Sequence, residues 1–199
     1  MRHVCKSILL ILTLFPSFPV YADIETIDID RIPVCYNFAC NTREIVGIST
    51  NEWTEVVNWF QPPALNAVEE RKQIQHAIGW LEVVVGRYTP IHLDNGQNKF
   101  ADHSWGQMDC IDESINVTTF LKLLERYQLL RFHRVLERAY RRTMWDQHWA
   151  GQIEERDSGK HWVVDSWFQG FGKLPYLQET EQWKDIPFFF TSFIDNSTD

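Results

Sequence analysis

Basic residues and long apolar runs are both scarce in this sequence. It has 19 Lys and Arg residues against 27 Asp and Glu residues, a formal net charge of −8 at pH 7. A chain this acidic is a poor partner for nucleic acid or for an anionic membrane surface. After residue 22 no apolar run reaches the roughly 20 residues that a membrane-spanning helix needs. We therefore expect no nucleic-acid partner and no transmembrane segment in the mature chain.

The first 22 residues have the pattern of a secretory signal peptide. Arg2 and Lys6 form a basic start, residues 7–15 are apolar, and residues 20–22 (VYA) resemble a small-residue cleavage site. Cleavage there would change the net charge from −8 to −10, because the segment holds two basic and no acidic residues. An uncleaved anchor is the alternative. The pattern predicts a soluble protein exported to the periplasm or the outside of the cell.

Cysteine is also scarce, and the cysteines that follow the predicted signal are odd in number. Cys5 lies in the predicted signal, so Cys35, Cys40 and Cys110 remain. Cys35 and Cys40 are five residues apart and could close a short disulfide in an oxidising compartment. Cys110 is then unpaired, although pairing of Cys110 with one of the other two is the alternative. An unpaired thiol in an exported protein is a liability unless it is buried or does chemistry.

Residues 23–199 are short enough to form a single domain. Within it, residues 23–60 are predicted to form an N-terminal arm and a first helix that starts at Ser49 or Thr50. A second helix is predicted at about 64–86, as the main packing partner of the helix that follows Cys110. Strands are predicted at 43–49 and 131–139, with an Arg-rich connection over 140–147.

The chain is organised around residues 105–124, which read WGQMDCIDESINVTTFLKLL. Asp109 is placed to cap a helix, and Asp112 and Glu113 fill its first turn. Apolar residues recur on one face of that helix at Val117, Phe120, Leu121 and Leu124. Cys110 therefore lies at a helix N-terminus, where free amides and the helix dipole stabilise a thiolate. The neighbouring carboxylates oppose this effect, so a helper base is needed; a buried core cysteine is the simpler alternative.

A hairpin is predicted over 148–168, with its turn at 156–159 (RDSG). If Glu155 pairs with Lys160, one face carries apolar side chains (Trp149, Ile153, Trp162, Val164). The other face carries His148 diagonal to Asp165, within reach of an imidazole and a carboxylate. His161 is about 13 Å along the strand from Asp165, which is too far for a partner. A one-residue shift in register would separate His148 from Asp165.

A Cys that opens a helix, a His on the next hairpin and an Asp on its second strand resemble the transglutaminase-like, papain-related cysteine protease superfamily. Cys110, His148 and Asp165 match that pattern in order, element and spacing, over about residues 100–170. The short length and the signal are similar to the bacterial periplasmic transglutaminase-like cysteine proteinases. The resemblance implies an α+β fold, in which N-terminal helices and a nucleophile helix pack on an antiparallel sheet, with 100–170 as catalytic core.

The resemblance implies acyl transfer by a Cys110–His148–Asp165 triad, most simply a peptidase or amidase acting on a protein or peptide. Gln107, Trp105 and Trp167 are the candidates for oxyanion or cleft residues. The alternatives are a cross-linking or deamidating transglutaminase-type enzyme and a non-catalytic exported peptide-binding module on the same fold.

No cofactor and no metal ligand are predicted, although acidic residues leave calcium open as an alternative. Five residues of metal-binding types crowd the approach to the predicted cleft: Asp102, His103, Asp109, Asp112 and Glu113. Carboxylates suit calcium, but no EF-hand loop is present. His92 and His103 are more simply surface histidines than ligands.

Overall fold

A computed structural model of the chain describes residues 27–98, 105–142 and 147–185. The predicted signal peptide and the Phe-rich C-terminal segment lie outside these residues. No helix within the described ranges is long and apolar enough to cross a membrane. The described residues form a mixed α+β fold with an antiparallel sheet, as the sequence predicts.

Along the described residues a pair of strands comes first, followed by three α-helices, five strands and a last short α-helix. The strands are β1 Ile32–Tyr36, β2 Thr42–Val46, β3 His133–Val135, β4 Ala139–Arg142, β5 Gln147–Glu155, β6 His161–Asp165 and β7 Tyr176–Glu179. The helices are α1 Thr50–Val57, α2 Ala67–Val85, α3 Cys110–Arg126 and α4 Thr180–Lys184, with 3-10 turns at Asn58–Phe60 and Pro90–Leu93. The prediction of a connection over 140–147 is partly wrong, because β4 occupies its start.

The predicted hairpin register is confirmed. In the main sheet the order is β3-β5-β6-β7, with β4 also paired to β5. The β5–β6 ladder pairs Gly151 with Val164 and Ile153 with Trp162, as pairing Glu155 with Lys160 requires. Because side chains alternate between faces, this register places His148 and Asp165 on the same face of the hairpin.

The two faces of the sheet pack on different helices. Ile153 and Val164 join the main core, which contains the predicted apolar face of α3 and the inner face of α2. Val163 and Ala150 pack against Trp183 of α4 on the opposite face. The expectation that α2 is the main partner of α3 is wrong, since α3 packs chiefly on β5 and β1. Gly151 lets α3 lie close to β5: a Cβ there would be 2.5 Å from Val117 Cγ1.

β1 and β2 form a separate antiparallel hairpin whose connection is closed by a disulfide between Cys35 and Cys40. The predicted pairing is thereby confirmed, and Cys110 is the free cysteine of the described residues. Asn116 of α3 anchors this hairpin, because its side-chain oxygen accepts from the Cys35 amide and its nitrogen donates to the Cys35 carbonyl.

Candidate active site

Cys110 is the first residue of α3, and its helix cap is built as the sequence predicts. Asp109 Oδ1 accepts hydrogen bonds from the amides of Ile111 and Asp112, both at 3.0 Å. Asp112 Oδ2 accepts in return from the Asp109 amide, which completes a capping box. The amide of Glu113 is bonded to the Asp109 carbonyl, whereas that of Cys110 has no acceptor within the described part of the chain. The Cys110 amide is therefore left for a ligand.

His148 and Asp165 meet across the hairpin. The Nε2 atom of His148 lies 2.8 Å from Oδ2 of Asp165, and both side chains are buried. The pair is diagonal in the register, which is the geometry the hairpin predicts. Because Nε2 is taken by Asp165, Nδ1 is the ring nitrogen left for a second partner.

Charges around His148 favour its protonated form. Burial lowers the pKa of the imidazole, but the Asp165 charge and hydrogen bonds with Asp165 and Cys110 raise it to about 9. Asp165 therefore pairs directly with the imidazole, and the Cys110 thiol lies near enough to affect its pKa. This arrangement can transfer a proton from the thiol to the ring and hold the resulting imidazolium.

No known protein family, curated protein or solved structure matches this chain. The chemistry proposed for the chain is therefore based on the geometry of the site.

Aromatic side chains enclose the imidazole and hold the carboxylate. The ring of His148 lies 4.9 Å from Trp167 and 5.6 Å from Trp183 between centroids. The Trp183 indole Nε1 donates to Asp165 Oδ2 at 3.1 Å, and the Trp167 amide donates to Asp165 Oδ1 at 3.3 Å. Trp183 was not identified from the sequence, because the segment after Gly170 has no periodicity that points back to the hairpin. These contacts fix the Asp165 carboxylate against His148.

The three predicted cleft residues have different surroundings. Trp167 contacts the His148 ring, and its indole Nε1 donates to the Asn98 carbonyl. Gln107 is buried in the loop before α3, where its Nε2 donates to the Leu93 carbonyl and its Oε1 accepts from Asn98 at 2.8 Å. Trp105 is 61% exposed and lies edge-on to Tyr36. Its side chain borders a cavity of about 600 Å³ that Tyr36, Tyr88 and His92 also line.

A cluster of buried carboxyl groups lies behind the Cys110 end of α3. Glu82, Asp94, Asp112 and Glu113 are each no more than 6% exposed. Glu82 accepts from Ser166 Oγ at 2.7 Å, and Asp94 accepts from the Met108 amide at 2.6 Å. One oxygen of Glu113, Oε2, is buried and has no hydrogen-bond partner among the described residues. The sequence gives no signal for this cluster, because charged residues on a helix are normally exposed.

These carboxyl groups hold protons more tightly than exposed ones do. Burial raises the pKa of Glu82, Asp94 and Asp112 to about 7, despite the hydrogen bonds that each accepts. Burial and the charges of Glu82 and Asp94 raise the pKa of Glu113 well above its usual range. The cluster is therefore mostly protonated in weakly acidic solution.

The acidic residues proposed as a calcium alternative have other partners or lie outside the described residues. Asp109 and Asp112 are occupied by helix amides, and Asp102 and His103 fall outside the described ranges. In the ranges that the structure describes, no group of three or more His, Cys, Asp or Glu side chains is arranged to hold a metal ion. His92 bonds through Nδ1 to the Gly86 and Thr89 carbonyls.

Proposed function

We propose that the chain is a cysteine-dependent acyl-transfer enzyme, a peptidase or amidase in which Cys110, His148 and Asp165 act as the catalytic triad. The observation that carries this proposal is the buried His148–Asp165 pair, at 2.8 Å. The free Cys110 thiol at the start of α3 lies near enough to help raise the pKa of that imidazole. A thiol that served only as core packing would need neither the imidazole nor the carboxylate.

The reaction follows from these positions. His148 takes the proton of the Cys110 thiol, and the thiolate attacks the carbonyl carbon of an amide to form a tetrahedral intermediate. The C–N bond then breaks, His148 protonates the leaving amine, and a thioester to Cys110 remains. Water activated by His148 hydrolyses the thioester, which releases the acid and restores the thiol. Asp165 keeps the ring oriented and stabilises its positive charge throughout.

The Cys110 amide is the proposed oxyanion donor. It begins α3, and it has no acceptor among the described residues. A donor of this kind typically contributes about 10²–10³ in rate. Gln107 remains a candidate second donor, although its Nε2 already bonds to the Leu93 carbonyl.

We further propose that the sheet and α3 are a papain- or transglutaminase-like core and that the substrate is a protein or peptide met after export. The order of nucleophile helix, His strand and Asp strand supports the core. The Cys35–Cys40 disulfide supports an oxidising compartment.

The first test is the pH dependence of Cys110 alkylation by iodoacetamide, read by mass spectrometry. We expect fast modification that extends well below pH 7 in the parent and is lost in His148→Ala. An ordinary thiol profile that the substitution leaves unchanged would overturn the triad.

The second test uses p-nitrophenyl acetate as a minimal acyl donor. The parent should release nitrophenol in a burst and carry an acetyl group on Cys110, whereas Cys110→Ala should do neither. Adding glycine ethyl ester then shows whether water or an amine resolves the thioester. Faster turnover that yields an amide product would mean that the enzyme transfers the acyl group to an amine instead of hydrolysing the thioester.

A further inference from the structure

The disulfide-closed loop between β1 and β2, here called the disulfide loop (Cys35–Cys40), is bonded directly to the start of α3. The Ala39 amide donates to Asp109 Oδ2 at 3.0 Å, and the Cys40 amide donates to Asp112 Oδ1 at 2.7 Å. Asp109 and Asp112 are also the two side chains of the capping box around Cys110. Each capping carboxylate is therefore shared between the helix and the disulfide loop.

The same loop also holds the residues that lead into Cys110. The Asn37 amide donates to the Gln107 carbonyl at 2.9 Å, and Asn37 Oδ1 accepts from the Gly106 amide at 2.9 Å. Together with the bonds to Asp109 and Asp112, these contacts fix both sides of Cys110 in the sequence. The loop thus holds residues that precede Cys110 as well as one that follows it.

The loop backbone has a conformation that open chains avoid. Four consecutive residues other than glycine have positive φ: Asn37 (66°), Phe38 (63°), Ala39 (53°) and Cys40 (54°). The left-handed region is unfavourable for such residues. Successive amides in this region point to one side and can bind anions, which is how Ala39 and Cys40 meet two carboxylates. Opening the disulfide frees this segment to relax and to withdraw its amides.

We propose that Asp109 and Asp112 are positioning residues for Cys110, and that closing the Cys35–Cys40 disulfide activates the Cys110 thiol through them. This inference rests on the proposed function, because it concerns the reactivity of the Cys110 thiol. With the disulfide closed, the loop amides hold both capping carboxyl groups and so fix the cap that aims the helix amides at the thiol. With the disulfide open, the cap is held less firmly and Cys110 behaves more like an ordinary thiol.

The switch would keep the thiol inactive until the chain reaches an oxidising compartment. Closure forms one S–S bond between the two thiols, whose two electrons and two protons pass to an oxidising disulfide such as oxidised glutathione, leaving two new thiols. In a reducing cytosol the loop would stay open. A hydrolase with this control does not act on the proteins of the compartment that makes it.

The test compares site-resolved Cys110 alkylation by iodoacetamide from pH 4 to 9 in the parent and in Cys35→Ser/Cys40→Ser. The titratable and charged groups at this end of α3 and on the elements against it are Glu82, Asp94, Asp109, Asp112, Glu113, Arg138, His148 and Asp165. All of them are unchanged in the double variant. We expect its reactivity profile to move up by about one pH unit, so that the rate at pH 6 falls about tenfold.

Asp28→Asn is the matched control. Asp28 accepts from Arg126 at 2.9 Å and from the Tyr127 hydroxyl at 2.5 Å, so it secures the opposite end of α3. This variant should lower the melting temperature while leaving the alkylation profile of Cys110 at the parent position. A shift of the same size in Asp28→Asn would mean that any loosening of α3 is enough, and it would overturn the inference.

If the double variant does not fold, reversible reduction of the disulfide in the parent tests the same switch. The parent is treated with a phosphine under native conditions, folding is followed by circular dichroism, and oxidised glutathione then restores the disulfide. Cys110 reactivity at pH 6 should fall on reduction and return on reoxidation. Unchanged reactivity in a folded, reduced protein would overturn the switch alone. An ordinary thiol profile in the oxidised parent would overturn the proposed function and the switch together.

Discussion

Raising the pH should destabilise this protein through the buried carboxyl cluster. Glu82, Asp94 and Asp112 have folded-state pKa values raised to about 7, and Glu113 is raised further above its usual range. A carboxyl whose pKa is raised on folding binds its proton more tightly in the folded state. Its contribution to stability is complete below the pKa of the unfolded chain and is lost as the pH rises through the folded value.

The expected loss of unfolding free energy is calculated from the raised pKa of Glu82. Its ordinary value of 4.5 rises to about 7, a difference worth about 3 kcal/mol at about 1.4 kcal/mol per unit. The other members share protons with it, so their contributions do not add fully. The raised pKa of His148 acts in the same direction, over the range from about 6.5 to about 9. We expect the free energy of unfolding to fall by at least about 3 kcal/mol between pH 5 and pH 9.

Urea unfolding at each pH from 5 to 9, with the disulfide intact, measures this change. Glu113→Gln isolates the cluster, because a neutral amide replaces a carboxyl whose Oε2 has no partner in the part of the chain that the structure describes. The variant should match the parent at pH 5 and exceed it at pH 9. Glu181→Gln, at a side chain that is 77% exposed, should follow the parent throughout. A free energy of unfolding that is constant or increases from pH 5 to 9 would refute the reasoning.

Three substitutions test the hairpin and its contact with α3. Gly151→Ala should destabilise the fold by about 1–3 kcal/mol through overpacking, because its Cβ would lie 2.5 Å from Val117 Cγ1. Adding Val117→Ala should recover part of that loss in urea unfolding, and strictly additive losses would contradict the contact. Asp165→Asn should lower the pKa of His148 from about 9, because burial then acts without the carboxylate charge. An NMR titration of the imidazole measures this pKa, and an unchanged value would contradict the interaction between His148 and Asp165.

The parts of the site that the sequence predicted are those fixed by local rules. The cap at Asp109 depends on side chains within three residues of Cys110, and the structure has the predicted cap, which Asp112 completes as a capping box. The His148–Asp165 contact depends on one turn and on the alternation of a hairpin, and the observed register gives it. Both rules act over short sequence distances, so a single sequence contains them. The catalytic roles of these residues remain predictions.

The parts that were missed depend on contacts distant in sequence. Trp183 reaches Asp165 from α4, across a segment with no periodic pattern. Glu82 is buried because Ser166 and the Gly172 amide, about 80 to 90 residues later, satisfy its carboxyl group. The partner of α3 was misjudged because apolar periodicity shows which face of a helix is buried but not what covers it. The close approach to β5 depends on Gly151, whose role appears only when Val117 is placed opposite.

Whether the carboxyl groups of the acidic cluster are protonated affects the proposed chemistry at Cys110 and His148. An imidazolium is stabilised by nearby negative charge, and Asp165 raises the pKa of His148 for that reason. The same negative charge opposes a thiolate on Cys110, so every ionised carboxylate near the site favours one member of the ion pair and disfavours the other. Burial keeps Glu113 protonated and raises the pKa of Asp112 to about 7, and both effects reduce the charge that acts on the thiol in weakly acidic solution. Asp165, held against His148 by Trp183, is then placed to stabilise the imidazolium more than it opposes the thiolate.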